Sequence, residues 1–165
     1  MADLVPNGIE KIKRSQFLTY LNTTPSTASK TWAVLGVGIT DYSISFNPQV
    51  ETEKWIIEDN ARTDHESNQK QSSVTQKIYK GDPCFEFVQA GRDELNYKTE
   101  ILDIDCWNGD GTSYPAKLSS GIITVTQYMG ENAEIQYDLY YDGDATEGTV
   151  TFVDNAPVFT PTVSL

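Results

Sequence analysis

From residue 41 the chain reads Asp-Tyr-Ser-Ile-Ser-Phe-Asn-Pro. Tyr42, Ile44 and Phe46 fall on one side of an extended backbone, and Asp41, Ser43, Ser45 and Asn47 on the other. This two-residue period predicts a half-buried strand, stopped at Asn47-Pro48. The same reasoning predicts strands over "SQFLTYLN" (residues 15–22), "TWAVLGVGIT" (31–40, with Gly36 and Gly38 marking a bulge or turn) and "ETEKWIIED" (51–59). In the last of these, Trp55, Ile56 and Ile57 read as core anchors. "TTPSTASK" (23–30) has the composition of a loop. From residue 59 to 73 no apolar side chain is larger than Ala61, so this stretch contributes no core face and reads as a long polar loop.

Val74, Ile78 and Tyr79 read as part of a further strand. Asp82-Pro83 then fits a helix N-cap followed by proline at the first helical position. Phe85, Val88 and Leu95 give a thin apolar stripe, predicting a helix over about residues 83–95, with a strand through "CFEFV" as the alternative. "KTEILDIDCW" places Leu102, Ile104 and Cys106 on one face, and Asp103 and Asp105 on what reads as the wet face. "GIITVTQY", "AEIQYDLYY" and "GTVTFVD" read as three strands joined by "MGEN" and "DGDATEG", a meander of hairpins. The tail "NAPVFTPTVSL" has no evident partner. About eight strands and one helix predict a mainly β protein, an antiparallel β-sandwich or barrel with one flanking α-helix. The expected organisation is a flexible N-terminal arm (1–14), one β domain (15–153) and a C-terminal tail (154–165).

Composition adds solubility and subtracts partners. The 165 residues include 24 acidic and 12 basic side chains, a formal net charge of −12. That balance disfavours nonspecific binding to nucleic acid. The charge is uneven: residues 118–165 carry no Lys or Arg, whereas Lys11, Lys13, Arg14 and Lys30 face only Asp3 and Glu10 near the N-terminus. The two regions complement each other or are separately solvated. Cys84 and Cys106 are the only cysteines, and the N-terminus shows no apolar signal region, so reduced thiols in a protein made in the cytoplasm are expected. No apolar run is long enough for a membrane span.

Candidate chemistry thins out under inspection. The sole histidine, His65, lies among Glu58, Asp59, Asp64 and Glu66. Zinc needs about three ligands converging from fixed elements, and a triad needs a dry orienting carboxylate. A polar stretch offers neither. "DIDCWNGDG" fails the calcium-loop register, with Trp107, Asn108 and Tyr114 where an Asp or Asn, a glycine and a Glu are required. Asp142-Gly143 reads as a turn, and Cys84 as a small core residue. No catalytic residues, metal ligands or cofactor are expected.

"KRSQFLTYLNTTPS", "LGVGITDYSISFNPQVETEKWIIEDNA" and "YKGDPCFEF", in this order, resemble the major tail (tail tube) proteins of siphophages infecting Gram-positive bacteria and their prophage relatives. The resemblance covers roughly residues 11–153. It implies a β-sandwich with a flanking helix that forms hexameric rings, stacked into a tube through which phage DNA passes without specific binding. The implied location is the virion tail, after synthesis in the host bacterial cytoplasm. The implied partners are further copies of the chain, a tape measure protein, a tail terminator and baseplate or initiator proteins. Contacts between subunits or rings would fall on the arm (Lys11, Lys13, Arg14, Phe17, Tyr20) and on the long loop (Asp59, Asn60, Arg62, Asp64, His65, Glu66, Gln71). Asp103, Asp105, Asp138, Asp142 and Asp144 are the candidates for a lumen that repels DNA. The alternatives are a carbohydrate-binding β module using Trp55, Trp107, Tyr114 and Tyr128, a tail terminator ring protein, and a hydrolase using His65.

Overall fold

The computed structural model describes residues 8–163. The protein is mainly β. One seven-stranded antiparallel sheet runs in the order β2-β1-β6-β7-β8-β5, with β9 also paired to β8, and a separate two-stranded hairpin is made by β3 and β4. The strands are β1 (Phe17–Asn22), β2 (Trp32–Val34), β3 (Pro48–Glu53), β4 (Arg62–Asn68), β5 (Gln71–Lys77), β6 (Tyr97–Asp105), β7 (Tyr114–Tyr128), β8 (Glu134–Val153) and β9 (Ala156–Pro161); the helix is α1 (Pro83–Ala90).

The sheet is a nearly closed barrel. The free edge of β5 meets the chain that follows β2: Lys77 N donates to Gly38 O (2.9 Å), and Ser45 and Gln71 exchange both backbone bonds (2.8 and 2.9 Å). Gly38 makes this closure possible. Its φ is +77°, and a Cβ there would lie 2.5 Å from Lys77 O.

A hydrophobic cluster packs on each face of β6. Leu21, Ile101, Ile123, Ile135, Tyr137, Leu139 and Val74 form the main core, closed by Cys84, Phe85 and Val88 of α1. The opposite face carries Leu102, Ile104, Ala116 and Val150, packed with Leu18, Tyr20, Trp32, Phe152 and Phe159. The rings of Tyr20 in β1 and Phe152 in β8 lie 6.4 Å apart. Three strand spacings separate those strands, roughly 14 Å in a flat sheet. The sheet therefore curls over on this second face as well. Each fully buried Leu or Ile contributes about 1.5–3 kcal/mol relative to exposure.

Several sequence expectations change. The strand expected over residues 31–40 ends at Val34, and Gly36–Ile39 make a turn closed by Ile39 N to Gly36 O (3.1 Å). Residues 41–46 form no strand of their own: Ser45 bridges Gln71, Gln69 N donates to Phe46 O (2.9 Å), and Asn47 turns the chain at positive φ; Tyr42 is buried, Ile44 half-buried and Phe46 exposed. The helix stops at Ala90, because Gly91 ends it and Tyr97 packs where a Gly91 Cβ would sit. Leu95 is exposed and not helical. Asp82 is the N-cap as expected, accepting from Cys84 N (3.2 Å). "DGDATEG" is not a turn: β8 passes through it, and a register shift opposite residues 118–120, with Gly143 at φ +75°, absorbs the extra residues as a bulge. The tail does have a partner. Asp154 and Asn155, both at positive φ, turn the chain back so that β9 pairs with β8 from Gly148 to Val153.

Candidate assembly surface

The stretch expected to be a long loop is an arm with regular structure. Residues 62–68 form β4, which pairs with β3 from Pro48↔Asn68 to Glu53↔Arg62, with a bulge at Gln49/Val50. Every residue of both strands is exposed. Residue 71 onwards belongs to β5. The arm is thus held by its own backbone ladder and not by a core.

Its tip is the turn Trp55–Glu58, closed by Glu58 N to Trp55 O (3.0 Å). Trp55, Ile56 and Ile57 are not core anchors. Ile56 and Ile57 occupy the centre of the turn and are 100% and 86% exposed. The turn is braced from one side. Arg62 stacks its guanidinium 4.2 Å from the Trp55 ring centroid and pairs with Glu58, its Nε donating at 2.7 Å, while Trp55 Nε1 donates to Glu53 (3.0 Å).

The other expected contact residues are distributed as follows. Lys11 and Lys13 are exposed on irregular chain, and residues 1–7 of the expected arm lie outside the described residues. Arg14 bonds Phe17 O (2.9 Å) and Tyr42 O (3.2 Å), anchoring the arm where it joins β1. Phe17 and Tyr20 are half-buried in the domain, so they are less free for contact than expected. Arg62, Asp64, His65 and Glu66 lie exposed on β4, and Asp59 and Asn60 are exposed in the bend before it. Gln71 is engaged in closing the barrel. His65 bonds only Asn68 Oδ1 through Nε2 (2.7 Å). Among the described residues no group of three or more His, Cys, Asp or Glu side chains is placed to hold a metal ion.

The five aspartates separate sharply. Asp103 is half-buried, not on a fully wet face. It accepts from Thr19 Oγ1 (2.8 Å) and from Tyr141 OH (2.9 Å), and Tyr141 OH in turn meets Tyr42 OH (3.0 Å). Burial raises its carboxyl above the ordinary aspartate value, against the lowering effect of those two bonds. The reason for the difference is that a hydrophobic cluster packs on each face of β6, Ile101 in one and Leu102 and Ile104 in the other. Asp105 is half-buried. Asp138 accepts from Ser73 Oγ (2.7 Å). Asp142 and Asp144 are exposed on the β8 bulge.

A second polar network, missed in the sequence, supports the helix start. Gln76 is fully buried; its Nε2 donates to Asp82 Oδ2 (2.7 Å) and Val37 O (2.9 Å), and its Oε1 accepts from Tyr137 OH (3.0 Å). Burial, then the nearby Asp82 charge, pushes the Cys84 thiol up to about 12, so at neutral pH it is not a thiolate nucleophile. Asp110 binds its own turn, accepting from Ser113 N, Thr112 N and Thr112 Oγ1, which holds its carboxyl down at about 2.

The aromatic candidates for a sugar platform are each taken or apart. Trp55 lies under Arg62, Tyr128 under Arg92 (4.3 Å), and Tyr114 packs edge-on to Phe152. Trp107 stands in a 3-10 turn, Cys106–Asn108, after β6.

An open groove lies at the other end of β5. It is lined by Tyr20, Trp32, Val34, Val37, Tyr79 and Pro83, with Lys80 and the buried Asp82 also bordering it.

No protein-family model matches the chain, and none of the curated proteins matches it. Among solved structures it is similar to a chain of the anti-feeding prophage (AFP) baseplate, determined by cryo-EM and 6-fold symmetrised, with a TM-score of 0.47 and 10% sequence identity over 85% of this chain and 96% of that one.

Proposed function

We propose that the chain is a structural subunit of a phage tail tube, self-assembling into rings that stack around a DNA-conducting lumen. The observation that carries this reading is the β3–β4 hairpin. A two-stranded hairpin with no buried face is marginal by itself in water, and this one ends in two strongly exposed isoleucines. Such an arm gains its apolar burial only from another molecule. The order of sequence motifs, from the N-terminal arm through "NPQ" and "EDNA" to "GDP" before the helix, supports the tail tube in particular. The role is structural and not catalytic. The molecule belongs in the virion tail, beside a tape measure protein, a terminator and baseplate or initiator proteins. Electron microscopy of the purified protein tests the proposal: rings or tubes are expected, and a monodisperse monomer at high concentration, even with an initiator complex added, overturns it.

A further inference from the structure

The two isoleucines at the hairpin tip break the usual chemistry of a turn. Gly, Pro, Asn, Asp and Ser dominate turn centres for conformational and solvation reasons. Here the centre is Ile56-Ile57, and Trp55, Glu53, Glu58 and Arg62 brace it through the contacts already described. The result is a preformed apolar knob with nothing local to cover it.

The same chain carries a matching concavity. Val34, Val37 and Tyr79 are each more than a third exposed in the groove beside α1. Their exposure leaves an apolar recess at the barrel end where β5 finishes. We propose that the turn Trp55–Glu58 of one copy seats in this groove of a second copy, forming a head-to-tail contact. The inference rests on the self-assembly reading and names its interface.

Charge favours the pairing. Glu51, Glu53 and Asp59 flank the tip on exposed positions, against the single unpaired cation Lys54. The groove is bordered by Lys80, with Lys77 alongside at the end of β5, both exposed. Its one carboxylate, Asp82, is 6% exposed and holds Gln76 Nε2 and Cys84 N. The same acidic flanks disfavour an anionic lipid surface as the occupant.

The knob and the groove are separate patches of one copy. Gln71, at one end of β5, bridges to Ser45, three residues before the hairpin begins at Pro48. Lys77, at the other end, bonds Gly38 beside Val37 of the groove. The root of the knob and the groove are therefore about 20 Å apart along the strand, at opposite poles of the barrel. Passed head to tail, such a contact closes into a ring or continues as a filament; reciprocated about a two-fold axis, it closes as an antiparallel dimer.

The test uses the full chain in two variants, each altered only at exposed positions. Ile56→Asp/Ile57→Asp removes the knob, and Val37→Asp/Tyr79→Asp blocks the groove. Circular dichroism melts should match the wild type for both. In analytical ultracentrifugation each variant alone is expected to be monomeric. Their equimolar mixture is expected to form a 1:1 dimer and nothing larger, because one intact knob meets one intact groove. A mixture that stays monomeric overturns the inference, as does either variant assembling like the wild type. A wild type that makes rings or tubes while both variants do the same refutes this contact and leaves the assembly reading standing. Co-sedimentation of the wild type with lipid vesicles, lost in the knob variant, would identify a membrane as the occupant and also overturn it.

Discussion

Two glycines share a backbone conformation and differ in their surroundings. Gly38 has φ +77° and Gly143 φ +75°, yet a Cβ on Gly38 would lie 2.5 Å from Lys77 O, while one on Gly143 meets nothing within 4 Å. The left-handed conformation costs an L-residue roughly 1–2 kcal/mol. Gly143→Ala should lose about that much stability in a denaturant melt. Gly38→Ala should lose more, since the β5 edge must move, and the excess measures what barrel closure contributes. Equal losses would show that the closure is soft. Asp103 supplies a second residue-scale prediction. An unfolded aspartate titrates near 3.9, and burial raises the folded value above it. Between those values the folded state holds a proton that the unfolded state has released, so stability falls as pH rises through this window. The groups around it, Asp105 and Lys70, push in opposite directions. Asp103→Asn should remove this part of the pH dependence, seen as a flatter plot of melting temperature against pH than the wild type gives. Asp103→Ala should cost about 1–3 kcal/mol, because Thr19 and Tyr141 lose their shared acceptor.

At the scale of elements, what the chain's pattern revealed depended on where solvent lies. Asp82-Pro83 marked the start of α1 because a cap is local chemistry, complete within a few residues. The alternation in "KTEILDIDCW" located β6 but misassigned Asp103, because the period-2 rule assumes one wet face and a hydrophobic cluster packs on each face of β6. Residues 62–68 gave no signal at all. A strand with both faces in water has no reason to alternate, and β4 is specified by its backbone ladder to β3. The same ladder explains why Trp55-Ile56-Ile57, read as core, sits at a tip instead: hydrophobicity alone does not say which molecule buries it. Replacing residues 50–66 by a two-residue Asn-Gly turn should therefore leave barrel stability within about 1 kcal/mol of the wild type, since every lost side chain but the half-buried Glu58, which pairs with Arg62 of the same arm, is exposed. Assembly should disappear. Loss of the folded barrel, read by circular dichroism, would show that the hairpin belongs to the domain's own stability.

For the whole molecule, the relevant quantity is the distribution of its net charge of −12. A conduit for DNA works best when its wall holds no phosphate, because each neutralised phosphate releases counterions and adds affinity, hence drag. Asp103 is half-buried and holds two hydrogen bonds and Asp138 is engaged by Ser73, so Asp142 and Asp144 on the β8 bulge are the freest of the candidate carboxylates. Both are exposed where the register shifts opposite residues 118–120 and the strand bulges from the sheet. If they line the lumen, Asp142→Lys/Asp144→Lys should still assemble, since neither carboxylate bonds another side chain in the described fold. The variant tubes should then retain short duplex DNA at low ionic strength and release it as salt is raised. Location is read by nuclease protection. DNA held inside the tube survives digestion, and DNA held on the outer wall does not. Wild-type tubes should retain none under the same conditions. Retention by the variant that is fully sensitive to nuclease would move these residues to the outside and end the account of the bulge as a lumen surface.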